Sequence, residues 1–543
     1  MSPDDQQLFK GAYESFSHKR FDDCIKALRK LIKLKVKTEQ VYNLLGLTYS
    51  QKGKYKESLQ AFRDALKLNS KSSTVFYNIA KLYEEHGKFD LAENSYRRSI
   101  SCQPTNTSSI LNLGLCLQKQ DQWLDAETVF DEFLIQGGDI FEGNIRKAVC
   151  IYGRHLYKEA QDVLDIAKQL NPNHKAVRYY QAMIFDKTDQ KNQAEPLFKS
   201  LIDENHYPSF FSLGLLYFSI GKWKEAFELN ENRSLTHEIE LLFQQPGVES
   251  WKGQSLKDKT VLLLHEQGIG DQIRYLFFIH SLLNEAKKIY VYLDERLYPL
   301  INSTFDGITC LTNKKVNKQI LNDLKIDFTM SIGSLGVSYY STIIERQTET
   351  SKTIINSDQI KYLQADRDRE AFWKIYLIDE SKPVIGICWR SVKLIIGRND
   401  WYLDITQVAD IFKGLDVKLV NLQYGATDQE ISYLESQGLD IVSLDKVQTS
   451  IGLNLKDDQA ELAAILSNVD LVVSSATSLS ELSSALGIPT FVFAIRDLKW
   501  FHSDKYMGGF HPVMKLFFKD VFDDWNATII DLRDSIKEKI QLY

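Results

Sequence analysis

Residues 41–69 read VYNLLGLTYSQKGKYKESLQAFRDALKLN, and residues 75–103 repeat the same pattern as VFYNIAKLYEEHGKFDLAENSYRRSISCQ. A small residue marks each copy and recurs every 34 positions, at Gly46, Ala80, Gly114, Ala148 and Ala182. A repeat of this length predicts one pair of helices per unit. Small residues let the two helices approach, aromatic residues fill the space between them, and a glycine after the first helix permits the turn.

The repeats extend to both sides of this stretch. Their register reaches back to Ala12, and a last unit at a shorter step contains Gly214 and Ala226, so that we count about seven units over residues 5–240. The pattern resembles that of tetratricopeptide repeat (TPR) proteins. The resemblance implies an α-solenoid over residues 1–240 with a concave groove that usually holds an extended peptide or a segment of a protein partner.

After a linker at residues 241–258, the period of the sequence changes. Short β-rich apolar runs now alternate with helical patterns, which predicts parallel sheets in α/β layers. The runs are Val261–Leu264, Ile289–Leu293, Phe328–Ile332, Val384–Trp389, Leu419–Leu422, Ile441–Leu444, Leu471–Ser474 and Phe491–Ile495. A charged stretch at 351–382 divides them, so we predict two Rossmann-like subdomains at 259–350 and 383–525, followed by a C-terminal helix within 526–543.

The charge composition bears on the kind of partner that the protein can bind. The 543 residues include 66 Lys and Arg against 72 Asp and Glu, a formal net charge of −6 that argues against a dedicated nucleic-acid binder. This balance combines +1 over the first 240 residues with −7 over the rest, and the first hundred residues alone carry +7. That excess could attract an acidic partner, although solvated helix faces are the simpler and favoured interpretation.

Six cysteines lie far apart, with no CxxC pair and no cysteine–histidine cluster at metal-ligand spacing. We therefore expect no metal, no cofactor and a reducing compartment. The charged N-terminal stretch MSPDDQQLFKGAYESF lacks the apolar core of a signal peptide, and no apolar run approaches the ~18 residues of a membrane span. The sequence thus predicts a cytoplasmic protein without a membrane span.

Three loops follow predicted strands at the edge where parallel α/β sheets bind ligands. The first contains His265, Glu266, Gln267, Gly268, Gly270 and Asp271. Its glycines allow close backbone approach, and its N–H groups could hold an anion or an acceptor hydroxyl. Asp271 could act as a general base, or it could simply neutralise the first turn of the following helix.

The second loop, Cys388-Trp389-Arg390-Ser391-Val392-Lys393, runs on to Arg398. Its three cations suit a phosphate or diphosphate, since arginine binds through a bidentate fork and lysine as a point charge. The alternative is a solvated loop with one salt bridge. Trp389 is interpreted as a core residue.

The third loop, Ser474-Ser475-Ala476-Thr477-Ser478-Leu479-Ser480-Glu481, leads from a strand into a helix. Hydroxyls and free N–H groups at a helix N-terminus can form an anion pocket. Ser478 and Glu481 also match a capping box, which would explain both residues without a ligand and is the interpretation favoured for Glu481.

These loops resemble those of bacterial TPR-containing glycosyltransferases of the two-subdomain GT-B type, which are related to lipopolysaccharide heptosyltransferases. The matching stretches are HEQGIGDQIRY at 265–275, IGICWRS at 385–391, VNLQYG at 420–425 and LKDDQAELAAILSNVDLVVSSATSLSELSSALGIPTFVF at 455–493. In architecture the chain also resembles O-GlcNAc transferase and bacterial flagellin glycosyltransferases, in which the repeats present a protein acceptor to the catalytic half.

The resemblance implies roles for particular residues. Asp271 falls on the acceptor-activating base, Arg390 and Lys393 on contacts to the donor phosphate, and Thr477 with Ser478 on the donor-binding turn. Heptosyltransferases usually carry Asp where this chain has Ala476 and His where it has Glu481, so a heptose donor is not implied. The expected activity is metal-independent transfer from a nucleotide-activated sugar to a hydroxyl of a protein, with a flagellin-like acceptor as one expectation.

Two other functions remain open on the sequence. One is a TPR adaptor whose transferase half binds but no longer catalyses, which the changes at Ala476 and Glu481 make conceivable. The other is a transferase that acts on a lipid-linked or saccharide acceptor, with the repeats serving assembly alone. The sequence does not name the sugar, the nucleotide or the stereochemical outcome.

Overall fold

The computed structural model describes residues 2–232, 249–265, 268–312, 318–340, 361–377, 382–391, 402–444, 454–495, 513–519 and 523–541. The chain divides into two compact units, residues 1–197 and 198–543. The predicted boundary near residue 240 follows the repeat pattern, whereas this division by packing places the last helix pair in the second unit.

Helices occupy the repeat region. They are α1 Pro3–Ser17, α2 Phe21–Lys33, α3 Glu39–Gln51, α4 Tyr55–Leu68, α5 Ser73–Glu85, α6 Phe89–Cys102, α7 Thr107–Gln118, α8 Trp123–Ile135, α9 Ile140–Gly153, α10 Tyr157–Leu170, α11 Lys175–Lys187, α12 Lys191–Asp203, α13 Tyr207–Ser219 and α14 Trp223–Asn230. The division between the units falls inside α12. Fourteen helices within residues 2–232 match the predicted seven pairs.

The turn inside each pair repeats with the sequence period. One residue per turn has a positive φ, and these residues are Lys19, Gly53, Gly87, Asp121, His155, Asp189 and Gly221. The close approach of helices is also as predicted, since a Cβ on Gly46 would lie 2.5 Å from the Phe62 ring and one on Gly114 would lie 2.5 Å from the Phe130 ring. Small residues and aromatics therefore form the repeat core.

The second unit adds two sheets to α13 and α14. The first sheet contains β1 Glu249–Ser250, β2 Thr260–Leu264, β3 Lys288–Tyr292, β4 Ile308–Cys310 and β5 Phe328–Ser331, and the second contains β6 Val384–Cys388, β7 Lys418–Asn421, β8 Asp440–Val442, β9 Leu471–Ser475, β10 Thr490–Ile495 and β11 Met514–Lys519. Helices between and after the strands are α15 Ile269–Tyr275, α16 Ile279–Leu283, α17 Tyr298–Thr304, α18 Lys318–Asp323, α19 Arg367–Leu377, α20 Ile405–Phe412, α21 Asp428–Ser436, α22 Gln459–Leu466, α23 Ser478–Ala485 and α24 Asn526–Ile540.

Both sheets are parallel, with strand orders β1-β5-β2-β3-β4 and β11-β10-β9-β6-β7-β8. Counted within the second sheet, the order is 3-2-1-4-5-6, the order of dinucleotide-binding folds. The prediction of two Rossmann-like subdomains is confirmed. All eight predicted strands are present, and the structure adds β1, β4 and β11, of which the first two are too short to leave a pattern.

Two further elements complete this unit. Helix α24 packs on the second subdomain, where Leu532 and Ile536 are fully buried and the Arg533 guanidinium donates to the carbonyl of Ile411 at 3.1 Å. Helix α14 packs on the first subdomain, because the Phe227 ring lies edge-on to that of Phe278 and occupies the space beside Gly336. The last helix pair of the repeats therefore shares a core with the first sheet.

Candidate functional site at the junction of the two sheets

The strand order determines which loops can form a site. In each sheet the order reverses beside the first strand of the βαβ series, at β2 and β5 in the first and at β6 and β9 in the second. Loops that leave such neighbouring strands diverge to opposite faces and open a crevice at the carboxyl edge. The three loops singled out in the sequence follow β2, β6 and β9, so two of them meet at the switch point of the second sheet.

Helix α15 carries Asp271 in its first turn. Gly268 caps this helix with a φ of −108°, which any residue can adopt, and what matters there is space, because a Cβ would lie 2.9 Å from Asp271 Oδ2. The neighbouring Gln272 is buried and accepts the Asp294 N–H at 2.8 Å, which ties α15 to the loop after β3. Asp271 thus lies in the first turn of α15, as both interpretations of the sequence require.

Arg274, one turn further along α15, connects the two subdomains. Its Nε donates to Glu481 Oε2 at 3.2 Å, its Nη2 donates to Glu481 Oε1, and its Nη1 donates to Asp271 Oδ1 at 3.2 Å. The side chains of Arg274 and Glu481 are only 6% and 7% exposed, against 27% for Asp271. Burial opposes the positive charge, but the carboxylates of Glu481 and Asp271 outweigh it and raise the pKa of Arg274 above its ordinary value.

Helix α23 meets α15 closely at this junction. A Cβ on Gly270 would lie 3.4 Å from Ser478 Cα and 3.6 Å from Glu481 Cγ. The two helices are therefore in close contact beside the Arg274–Glu481 pair, with room for a Cβ at this position. Ser478 and Gly270, predicted on opposite sides of the site, are brought together.

The turn after β9 does not form the predicted capping box. Thr477, rather than Ser478, is the N-cap of α23, and Ser480 Oγ accepts the Thr477 N–H at 3.2 Å. The prediction that Glu481 caps this helix is wrong, because its carboxylate points across the junction to Arg274. Ser475, 1% exposed, ends β9 with a hydroxyl that has no hydrogen-bond partner among the described residues.

The turn after β6 is held by a side chain from the loop that follows β7. Gln423 Oε1 accepts the N–H groups of Trp389 at 3.0 Å and of Arg390 at 2.8 Å. The Arg390 guanidinium forms a bidentate pair with Glu430, at 2.7 Å from Oε1 and 3.0 Å from Oε2, and donates to the Gly425 carbonyl at 3.0 Å. Trp389 is 1% exposed, in agreement with a core role.

Cys388, the last residue of β6, lies beside this turn. Burial raises the pKa of its thiol to about 11, so the thiol stays protonated at neutral pH and is a poor nucleophile. The residue is therefore a small buried side chain at the sheet edge and not a reactive group.

The structure describes only some of the remaining predicted site residues. The His265 ring lies 5.7 Å from that of Tyr292. Glu266, Gln267, Lys393 and Arg398 lie outside the described residues. Asp458 caps α22 by accepting the Glu461 N–H at 2.9 Å.

Three residues of the site were not singled out from the sequence: Arg274, Gln423 and Glu430. Arg274 lies three positions after Asp271, a spacing that pairs opposite charges on one helix face. Glu430 follows Thr427 in a capping box, a local pattern that does not indicate its second partner, Arg390. Gln423 lies within the quoted stretch VNLQYG but gave no signal of its own.

Within the part of the chain that the structure describes, no group of three or more His, Cys, Asp or Glu residues is placed to hold a metal ion. A search of the same residues found no helix with the length and apolar character needed to cross a membrane.

Comparison with known proteins identifies the repeats. Family models described as "TPR repeat" and "Tetratricopeptide repeat" match residues 46–87 and 73–106. The chain is therefore a TPR-containing protein whose second half holds two parallel α/β sheets.

A curated relative covers more of the chain. Protein FlbA of Caulobacter vibrioides is 25% identical over 334 residues, which is 59% of this chain and 53% of FlbA, so that the chain spans about half the length of this relative. Among solved structures, a tetratricopeptide repeat protein from Parabacteroides merdae is 18% identical and covers 43% of this chain and 95% of its own, with a TM-score of 0.38. PilF of Pseudomonas aeruginosa is 14% identical over 36% of this chain and 90% of its own, with a TM-score of 0.32.

Proposed function

We propose that the chain is a glycosyltransferase that transfers a sugar from a nucleotide-activated donor to a hydroxyl of a protein acceptor recruited by the TPR repeats. One observation carries the proposal. Helix α15 with Asp271 abuts the N-terminal end of α23 beside the switch point of the second sheet, where β9 ends in the buried Ser475, whose hydroxyl meets no hydrogen-bond partner in the described part of the chain. The proposal takes Asp271 as the base and the start of α23 as the end that binds the donor phosphate, and both belong to this junction.

The reaction then assigns a task to each group. The Asp271 carboxylate takes the proton of the acceptor hydroxyl as that oxygen bonds to the anomeric carbon of the sugar. The bond from the anomeric carbon to the phosphate oxygen breaks, and the nucleotide leaves with the electron pair. The N–H groups at the start of α23, together with Arg390 and Lys393, stabilise the charge on the departing phosphate, in place of an acidic metal-binding motif.

The Arg390–Glu430 pair bears on this assignment. Its side chains are 18% and 20% exposed, so the arginine can exchange or share its carboxylate partner with a phosphate that enters from solvent. Glu481 cannot serve the donor in the same way, since its carboxylate is buried against Arg274. Within the proposal, Glu481 therefore supports α23 rather than the nucleotide.

The test begins with binding. Thermal shift against UDP-, GDP-, ADP- and CMP-sugars should find one donor that raises the melting temperature, because a ligand that binds only the native state stabilises it. Chromatography of the protein incubated with that donor should then show release of the free nucleotide. Asp271→Asn should keep the thermal shift and lose at least ~100-fold in turnover, as expected for a general base.

Asp531→Asn is the matched control, since it removes one exposed carboxylate from α24 in the second subdomain. It should leave both binding and turnover unchanged. Full turnover by Asp271→Asn would remove the proposed base, and the absence of any shift with all four nucleotide classes would contradict the donor.

An adaptor that binds but does not catalyse is the second candidate. Two observations favour it: Ala476 supplies no carboxylate at the turn after β9, and the Glu481 carboxylate is engaged by Arg274. The two candidates differ in one result. An adaptor would show the thermal shift without release of nucleotide in the presence of any acceptor protein.

A further inference from the structure

The guanidinium of Arg274 is shared between two carboxylates on different subdomains. Two of its nitrogens face Glu481 of α23, and the third faces Asp271 of its own helix at 3.2 Å. The Arg274 and Glu481 side chains are more than nine-tenths buried, whereas Asp271 retains access to solvent. The cation thus occupies the interior of the junction, and the Asp271 carboxylate lies at its edge.

The surroundings keep this cation away from water. Gly270 brings the α15 backbone to within van der Waals distance of Ser478. On the far end of α23, the N–H groups of Tyr362 and Leu363 donate to the Ala485 carbonyl at 3.0 and 3.1 Å. Burial and the nearby Glu481 carboxylate raise the pKa of the Tyr362 phenol well above its ordinary value, so this neighbour stays neutral.

We propose that Arg274 is a positioning residue with two linked effects: its pair with Glu481 fixes α15 on α23, and its third nitrogen sets the Asp271 carboxylate at the edge of the junction. The second effect rests on the proposed function of Asp271. The first does not, because it concerns only the alignment of two helices.

The chemistry of the contact explains why arginine is needed. A planar guanidinium presents donors in a fixed fork, so it can satisfy both oxygens of Glu481 and still direct a nitrogen to Asp271. A lysine ammonium has the charge but no such fixed directions. Since the pair is buried, its electrostatic attraction is weakly screened by solvent and salt.

The alignment can be measured without any substrate. Cysteines at Gly270 and Ser478 would have Cβ atoms about 3.6 Å apart, which suits a disulfide. We would compare the rate of disulfide formation in the full-length G270C/S478C chain with the rate in the same chain carrying Arg274→Met and Glu481→Leu. Apolar residues of similar volume usually replace a buried ion pair without loss of the fold.

We expect disulfide formation to slow at least tenfold when the pair is removed. The control background is Lys382→Met with Asp416→Leu, which removes an ion pair of 3.0 Å at the opposite edge of the second sheet, ahead of β6 and β7. It should leave the rate unchanged. Equal rates in all three backgrounds would overturn the alignment role.

The effect on Asp271 is read from turnover of the donor found by thermal shift. Without the pair, kcat should fall about 100-fold from misplacement of the base, with the donor KM within threefold. The acid limb of the kcat/KM profile should move to higher pH, because a carboxylate that loses an adjacent cation is protonated more easily. Of the titratable groups described around Arg274, Glu481 is removed in this variant and Tyr362 stays neutral.

Arg274→Lys gives the conservative comparison. It keeps the charge and loses the fork, so we expect an intermediate disulfide rate and an unmoved acid limb. A fall in kcat with an unmoved acid limb in the Arg274→Met/Glu481→Leu chain would overturn the positioning of Asp271. If the native chain releases no nucleotide, the proposed function fails, whereas the disulfide rates still decide whether Arg274 aligns the helices.

Discussion

Two arginine–glutamate pairs lie at the carboxyl edges of the two sheets, and they differ in burial and in connectivity. Arg274 and Glu481 are 6% and 7% exposed and join α15 to α23 across 207 residues of sequence. Arg390 and Glu430 are 18% and 20% exposed and lie within the second subdomain. The same chemical pair thus occurs once in a junction that is almost closed to solvent and once where both partners keep partial access to it.

The difference in burial indicates which charged side chains can leave their partner and bind a ligand. Separating the buried pair would leave an uncompensated charge in the interior, so its groups are committed to the structure. The less buried pair costs less to separate, because each partner is already partly solvated and can be solvated further when it is released. Glu430 even keeps a second role without Arg390, since it accepts the Thr427 N–H at 2.8 Å in the capping box of α21.

The largest effect is expected from breaking the buried pair. Arg274→Ala should lower the free energy of unfolding of the second unit by about 3–5 kcal/mol, because it leaves the Glu481 carboxylate buried without its counter-charge. Urea unfolding followed by tryptophan fluorescence reports on this unit, since seven of the eight tryptophans lie within residues 198–543.

Removing both charges provides the control for that measurement. Arg274→Met with Glu481→Leu should recover most of the stability lost in Arg274→Ala, because no charge then remains unpaired. A loss below about 1 kcal/mol in Arg274→Ala would place this pair with ordinary exposed ones and erase the contrast.

A smaller effect on stability is expected at the Arg390–Glu430 pair, where substitution should chiefly change the binding of the nucleotide. Arg390→Ala should cost at most about 1 kcal/mol of stability but weaken binding of the nucleotide at least ~10-fold, if the guanidinium holds its phosphate. Glu430→Gln should act in the opposite direction and keep or strengthen binding, because it releases Arg390 from a competing carboxylate. Isothermal titration of both variants with the nucleoside diphosphate of the bound donor measures the two signs. Equal weakening by both would show that Glu430 orients Arg390 rather than competes for it.

Comparison of the fold with the site also shows how much of the structure can be predicted from the sequence. The 34-residue period predicted the helix pairs because every contact in a repeat recurs in its neighbours, as the packing of Phe62 on Gly46 recurs in Phe130 on Gly114. Apolar runs predicted eight strands for the related reason that a strand buried in a parallel sheet is apolar throughout. Lys19, Asp121 and His155 hold the same left-handed turn as Gly53, which no glycine pattern could reveal.

The site was predicted less completely. The loops after β2, β6 and β9 could be predicted as candidates because parallel α/β sheets bind ligands at the carboxyl ends of their strands, but the side-chain partners within them could not. Ser478 and Glu481 have the spacing of a capping box, and only the packing of α15 on α23 shows that Glu481 faces Arg274 instead. A single sequence gives no signal for a contact between residues that are 207 positions apart. The Thr427–Glu430 capping box is local, so it can be predicted from its residues.

The smallest predicted effect is the pH dependence of the stability contributed by the Arg390–Glu430 pair. Burial raises the pKa of Glu430, but the hydrogen bonds from the Thr427 N–H and from Arg390 outweigh it, and the net pKa lies below the ordinary value of 4.5. A carboxylate with a lowered pKa in the folded state adds stability above its unfolded pKa and loses that contribution as pH falls through the folded value. The native chain should therefore exceed Glu430→Gln in unfolding free energy by on the order of 1 kcal/mol at neutral pH. The difference should shrink as pH drops below about 4.5. Urea midpoints of the two chains across that range test this, and a difference that grows in acid would reverse the sign assigned to Glu430.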